Sequence, residues 1–158
     1  MSIVIRRIDQ SYSHHEELLA LIMASFAYMD GVIDPPSSAH RLTVASLKDK
    51  VHDEIGLIAE MDGDLVGCAF LRPEPDYLYL GKLAVAAEAQ GRGIGGRLLA
   101  EGEAIARELG KQTLRLETRI ELTSNHQLFG AWGFVRTAEK SHAGYDRPTY
   151  IEMQKRLT

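Results

Sequence analysis

Apolar residues at Leu18, Leu19, Ile22, Phe26 and Met29 recur at helical spacing, which marks one buried stripe on an early helix. Ser13-His14-His15-Glu16 ahead of the stripe has the Ser-x-x-Glu form of a capping box, in which hydroxyl and carboxylate satisfy helix-start amides. Asp30-Gly31 and Pro35-Pro36 end this helix. Ile3-Val4-Ile5 with Arg6 and Arg7 predicts a short opening strand, Gly31 to His40 a loop, and Thr43 to Val51 a short second helix.

From Ile55 the period changes. Ile55 to Met61 and Leu65 to Leu71 are short apolar runs separated by Asp62-Gly63-Asp64, a hairpin signal. Pro73 and Pro75 punctuate the chain before a third strand, Tyr77 to Val85. The glycine-rich stretch Gln90 to Gly96 leads into a helix that Gly110 stops, with Leu98, Leu99, Ile105 and Leu109 on its apolar side. A strand over Gln112 to Thr118, a short helix over Asn125 to Ala131, and strands over Phe134 to Lys140 and Thr149 to Gln154 complete the chain. The order β-α-α-β-β-β-α-β-α-β-β predicts one mixed α+β domain, 1–158, built around a single sheet.

Composition narrows the partners. With 45% hydrophobic and 25% charged residues the chain has the mix of a soluble globular domain. Lys and Arg number 18 against 22 Asp and Glu, a net charge of −4, which disfavours an electrostatic grip on nucleic acid. The one cysteine, Cys68, fits a reducing cytoplasm. No apolar run approaches the ~18 residues of a membrane span, and the N-terminal segment turns polar too soon for a secretory leader. The six histidines show no ligand spacing, so no metal is expected.

Gln90-Gly91-Arg92-Gly93-Ile94-Gly95-Gly96 lies between a strand and a helix. Its glycines allow consecutive backbone N–H groups to converge at a helix N-terminus, an anion site. Gly91-x-Gly93-x-x-Gly96 also satisfies the literal dinucleotide fingerprint, with Glu117 at a strand end downstream. The context argues against that fold: Ala86 to Gln90 intervene after the strand, and a hairpin precedes it. A nucleotide P-loop is excluded because no Lys-Ser/Thr follows the glycines.

Leu83-Ala84-Val85 followed by Gln90-x-x-Gly93-x-Gly95 resembles the acetyl-coenzyme A signature of the GCN5-related N-acetyltransferases (GNAT). Asn125-His-Gln-Leu-Phe129-Gly-Ala-Trp-Gly133-Phe134 resembles the family's second signature, and the element order agrees over almost the whole chain. The resemblance implies a mostly antiparallel twisted sheet with a splayed parallel strand pair, flanked by helices. It implies an acetyl-CoA-dependent N-acetyltransferase that transfers the acetyl group directly to a primary amine, with a small metabolite as the favoured acceptor.

The cofactor residues it implies are Leu83, Ala84 and Val85 on the strand edge, Gln90, Gly91, Arg92, Gly93, Ile94, Gly95 and Gly96 around the pyrophosphate, and Asn125 and Phe129 on the short helix. Arg97 is a further cation near the turn. Glu117 and Tyr79 are the candidates for the base, each against the simpler reading of a strand carboxylate and a rim aromatic. Tyr145 and Arg147 are the candidates for the acceptor pocket. The departure from the pattern is Phe129, where the family commonly has a tyrosine for the leaving thiolate; Ser124 or His126 are the substitutes at hand. That departure keeps open a non-catalytic acyl-CoA-binding or sensing module. The resemblance also admits a homodimer through the closing strands.

Overall fold

The observed elements follow the expected order: β1 (Ile3–Ile8), α1 (His15–Phe26), α2 (Val44–Asp53), β2 (Ile55–Met61), β3 (Asp64–Pro73), β4 (Leu78–Val85), α3 (Ile94–Glu108), β5 (Thr113–Arg119), α4 (Thr123–Ala131), β6 (Val135–Lys140) and β7 (Tyr150–Arg156). They are those of a computed structural model, which describes residues 2–157. The strands form one seven-stranded sheet in the order β1-β2-β3-β4-β5-β7-β6. Every neighbouring pair is antiparallel except β4 and β5.

Alternation along β3 assigns the two faces of the sheet. Gly67 and Leu71 meet Ile94 and Gly102 of α3, whereas Phe70 turns to the opposite face, where the Lys50 ammonium of α2 lies 5.4 Å from its ring. Leu18 and Ile22 of α1, Leu47 of α2 and Leu98 and Ile105 of α3 are all buried on the sheet. The β2–β3 turn has positive φ at both Asp62 and Gly63, the backbone of a tight primed hairpin turn that matches strand twist.

Two expectations change. The capping box at Ser13 does not form: α1 starts at His15 with His14 as its cap residue, so Ser13 lies one position too early to reach the first-turn amides. The reciprocal box belongs to α2, where the Ser46 amide donates to Thr43 Oγ1 at 3.1 Å and the Thr43 amide donates to Ser46 Oγ at 2.9 Å. Leu109 is exposed, because α3 ends at Glu108 and Gly110 turns the chain away with φ +72° before Leu109 reaches the sheet.

Glu152 of β7 is a buried carboxylate with a full set of partners. Thr137 Oγ1 donates to it at 2.6 Å and Gln154 Nε2 at 2.9 Å, while Arg115 and Lys140 each pair with it at 3.3 Å. Burial works to raise its pKa, but these hydrogen bonds and cations prevail and hold it below the ordinary glutamate value. A carboxyl so depressed contributes stability above its unfolded pKa and loses it as pH falls through the folded one. Glu152→Gln should therefore cost about 1–3 kcal/mol near neutral pH, and its deficit from the wild type should shrink as thermal unfolding is repeated below about pH 4. A deficit that stays constant with pH would assign the loss to packing instead of charge.

Candidate active site

Beta strands β4 and β5 pair only at Leu78↔Leu114 and Tyr79↔Arg115, then part. From that point one edge of β4 carries backbone groups that no strand pairs with, and it faces β5 across a gap. The gap opens into a cleft of about 1800 Å³, lined on one side by Gly81 to Val85 and on the other by Leu116 to Arg119. The C-terminal end of α1, the loop after it and α4 close its sides.

At one end of the cleft, the chain turns from β4 into α3. Gly93 caps α3 in the left-handed conformation, and Gly91 has φ +79°. The first intrahelical bond runs from the Arg97 amide to the Gly93 carbonyl at 3.0 Å, so the amides of Ile94, Gly95 and Gly96 come before it and are left to an outside partner. A Cβ on Gly91, Gly93 or Gly96 would meet nothing within 4 Å, so the space over these residues is open. Gly95 is different: its Cβ would stand 3.1 Å from the Trp132 indole, which packs against the turn and braces it. Gln90 Nε2 and Ser25 Oγ both reach the Val85 carbonyl, at 3.5 and 3.4 Å. Arg97 donates to the Ile3 carbonyl of β1 at 3.0 Å and is thereby turned toward the sheet edge, while Arg92 is exposed at the turn.

At the splay itself, Tyr79 and Glu117 come together although 38 residues apart in sequence, the phenol donating to the carboxylate at 3.5 Å. Burial foremost, and the Glu117 charge next, push the Tyr79 hydroxyl well up from its ordinary pKa, so it holds its proton at any working pH. The Arg72 guanidinium covers the other side of the ring, 4.6 Å from its centre.

On α4, Asn125 and Phe129 stand one turn apart and both line the cleft. Asn125 Nδ2 donates to Tyr28 Oη at 3.2 Å, and Phe129 stacks between Trp132 and Phe134, with ring centres 5.8 and 6.2 Å away. His126 Nε2 bonds the Arg119 carbonyl at 2.9 Å, which ties the start of α4 to β5, and Ser124 is exposed.

Tyr145 and Arg147 meet Asp34, at 2.7 and 3.0 Å, and pin the loop after α1 to the β6–β7 connection. The cleft wall from that connection is made by Ser141, His142 and Ala143, with Tyr150 of β7.

Arg41, Lys82 and Arg119 of the cleft escaped the sequence reading. Lys82 carried a signal, a lone charge in the run Leu78-Tyr-Leu-Gly-Lys-Leu-Ala-Val85. It sits in a β-bulge with φ +51°, where Lys82 and Leu83 together face the one residue Ala69 of β3. The bulge turns the lysine into the cleft, where Nζ donates to Ser38 Oγ at 2.8 Å. Among the described residues no group of three or more His, Cys, Asp or Glu side chains is placed to hold a metal ion, and no helix is long and apolar enough to cross a membrane.

A mixed sheet split at one parallel pair, with an amide-lined turn at the mouth of the split, defines an acyl-coenzyme A-type transferase fold. The chain matches the model of the acetyltransferase (GNAT) family over residues 16–134 and belongs to that family. Its structure is similar to that of the PaiA N-acetyltransferase of Thermoplasma acidophilum in complex with coenzyme A, with a TM-score of 0.80, 21% identity, and coverage of 99% of this chain and 100% of that one. It is similar also to an IAA acetyltransferase from Bacillus cereus, with a TM-score of 0.69, 21% identity and coverage of 99% and 100%. A third similar structure is a GNAT family acetyltransferase from Elizabethkingia anophelis with acetyl-CoA bound, with a TM-score of 0.69, 18% identity and coverage of 98% of each chain. At these identities the likeness is one of fold. No curated protein matches the sequence.

Proposed function

We propose that this acetyltransferase moves the acetyl group of acetyl-CoA to the primary amine of a small metabolite, in one step and without an acyl-enzyme. The observation that carries the reading is the cleft between β4 and β5, which has an anion-binding turn at one end and a carboxylate at the other. The residues fit the donor. The unpaired β4 edge over Leu83, Ala84 and Val85 suits the amides of a pantetheine arm, as an added strand would be held. The backbone from Gln90 to Gly96 suits the pyrophosphate, since the space that any Cβ would fill at Gly91, Gly93 and Gly96 is open.

Acetyl-CoA supplies the activated acyl group: the acceptor nitrogen bonds to the thioester carbonyl carbon, the carbon–sulfur bond breaks, and coenzyme A leaves as the thiol. The acceptor amine must first lose a proton, and Glu117 is the group on the cleft wall that takes it. Tyr79 keeps its own proton and serves Glu117 as a donor, orienting the carboxylate. Phe129 brings no hydroxyl to the leaving sulfur. Tyr28 takes that place: its oxygen accepts from Asn125, so its proton is left to give.

The direct test is calorimetric titration with acetyl-CoA, with NADH as control, followed by thiol release in the presence of a library of amines. Binding of acetyl-CoA with amine-dependent thiol release is the expected result. Binding without release from any amine would leave a cofactor-binding module in place of an enzyme, and binding of NADH alone would restore the dinucleotide reading. Phe129→Tyr should leave turnover unchanged or raise it, because a hydroxyl is added where the sulfur is expected. A collapse of turnover without unfolding would remove this placement of residue 129.

A further inference from the structure

Opposite the glycine turn, the cleft wall carries three cations in electrostatic reach of one another: Arg41, Lys82 and Arg119. Along β4, Lys82 lies three residues before Val85, about 10 Å farther from the turn. Among the described residues, no carboxylate stands within 4.0 Å of any of the three. Most carboxylates around them are committed elsewhere: Glu54 pairs with Lys50 at 2.8 Å, Asp34 with Arg147 at 3.0 Å, Asp30 with His40 at 2.6 Å, and Glu117 meets Tyr79. Glu121 accepts the Asp34 amide at 3.2 Å through one oxygen, and its other oxygen is buried with no hydrogen-bond partner among the described residues. Its charge partly offsets that of Arg119, which leaves Arg41 and Lys82 as the less compensated pair. Arg119 gives two of its N–H groups to the Pro35 and Pro36 carbonyls, at 2.6 and 3.0 Å, and so holds the loop that shapes this end.

Such a cluster is costly without an anion. Burial first, then Lys50 and Arg41, push the Lys82 ammonium below its ordinary pKa. Burial and Arg119 likewise lower His142 on the same wall, which therefore adds no charge of its own. The base sits close by. Glu117 and Arg119 are two residues apart on β5 and share a face, so a carboxylate and a guanidinium are presented about 7 Å apart along one strand.

We propose that the acceptor is an amine that also carries a carboxylate, an amino acid, with its amine directed to Glu117 and its carboxylate to Arg41 and Lys82. This rests on the acetyltransferase reading above and deepens it. The arrangement selects against polyamines and other acceptors whose only charges are positive, because a second ammonium would enter a site already rich in cations.

The test uses the full chain, acetyl-CoA, the L-amino acids, their α-carboxamides and a polyamine, with thiol release as the readout. The carboxamides lack only the acid charge, and their amines are the less basic, so a preference for the acids is not an effect of amine ionisation. The expected result is kcat/KM about 10- to 100-fold higher for at least one acid than for its amide, the effect of a charge-assisted contact. Arg41→Gln should erase most of that preference by raising KM for the acid while KM for acetyl-CoA holds, and Arg41→Lys should restore much of it. Arg41 is exposed, so neither variant removes a core contact. As a binding readout, the N-acetyl amino acid should bind more tightly than its amide in calorimetry, and Arg41→Gln should level the two. Release with amides or polyamines at least as fast as with acids would overturn the acid assignment and leave the enzyme assignment standing. A rise in KM for acetyl-CoA in Arg41→Gln would move this cation to the cofactor and also overturn it. No release with any amine would overturn both.

Discussion

Gly93→Asp should weaken acetyl-CoA binding at least about 100-fold, a loss of about 3 kcal/mol, in a protein that still folds. Gly93 takes φ +78°, a conformation that costs a non-glycine residue about 1–2 kcal/mol. Asp is among the residues that bear this best, and a Cβ at this position would meet nothing within 4 Å. Its charge would enter the space that the pyrophosphate needs. A carboxylate about 4 Å from a phosphate oxygen is repelled by about 4 kcal/mol at an effective dielectric near 20, less the screening at this exposed turn. Gly110→Asp is the matched control, because Gly110 has φ +72°, equally open space and no part in the cleft. The two variants should lose similar thermal stability, and only the Gly93 variant should lose the cofactor. Equal affinity in both would remove the pyrophosphate from this turn.

Glu117→Gln should lower kcat about 100- to 10,000-fold, the usual worth of a positioned general base, with KM for acetyl-CoA unchanged. The fold should tolerate the change well. Glu117 stands directly opposite Glu152 in the β5–β7 register, like charges on one face of a sheet, a pairing that destabilises. Glu152 is satisfied by Arg115, Lys140, Thr137 and Gln154, while Glu117 has only the long contact to Tyr79. The charge of Glu117 therefore contributes little to stability at that position. Turnover within about threefold of wild type would place the base elsewhere, since general-base loss of that size falls far below the expected range.

The parts of this molecule that local chemistry decides could be read from the sequence. The helical stripe, the Asp62-Gly63 turn, the glycine-rich turn and the order of elements all depend on neighbours within a few residues. Tyr79 and Glu117 were separately visible as polar residues at a strand and a strand end, but the parallel pairing at Leu78↔Leu114 is what brings them together. Leu109 missed the core because the helix stopped one residue before it, and no pattern of spacing reports where a stop falls to within a residue. Lys82 escaped because a bulge breaks the alternation that assigns strand residues to faces. Tyr145 and Arg147 lie in the connection expected for them, yet their partner Asp34 is more than a hundred residues away, and only the fold says so.

The parting of β4 from β5 bears also on strand pairing between chains. Unpaired strand edges at the outside of a sheet invite other chains to add on, which is the usual beginning of aggregation. Here a stretch of bare edge is kept within the sheet, with β5 across from it and α1 and α4 at its sides. A strand added there by a foreign chain would carry side chains on both faces, and these walls flank the space it would need. The bare edge is thereby kept off the outside of the sheet, where a neighbouring chain would most readily add on.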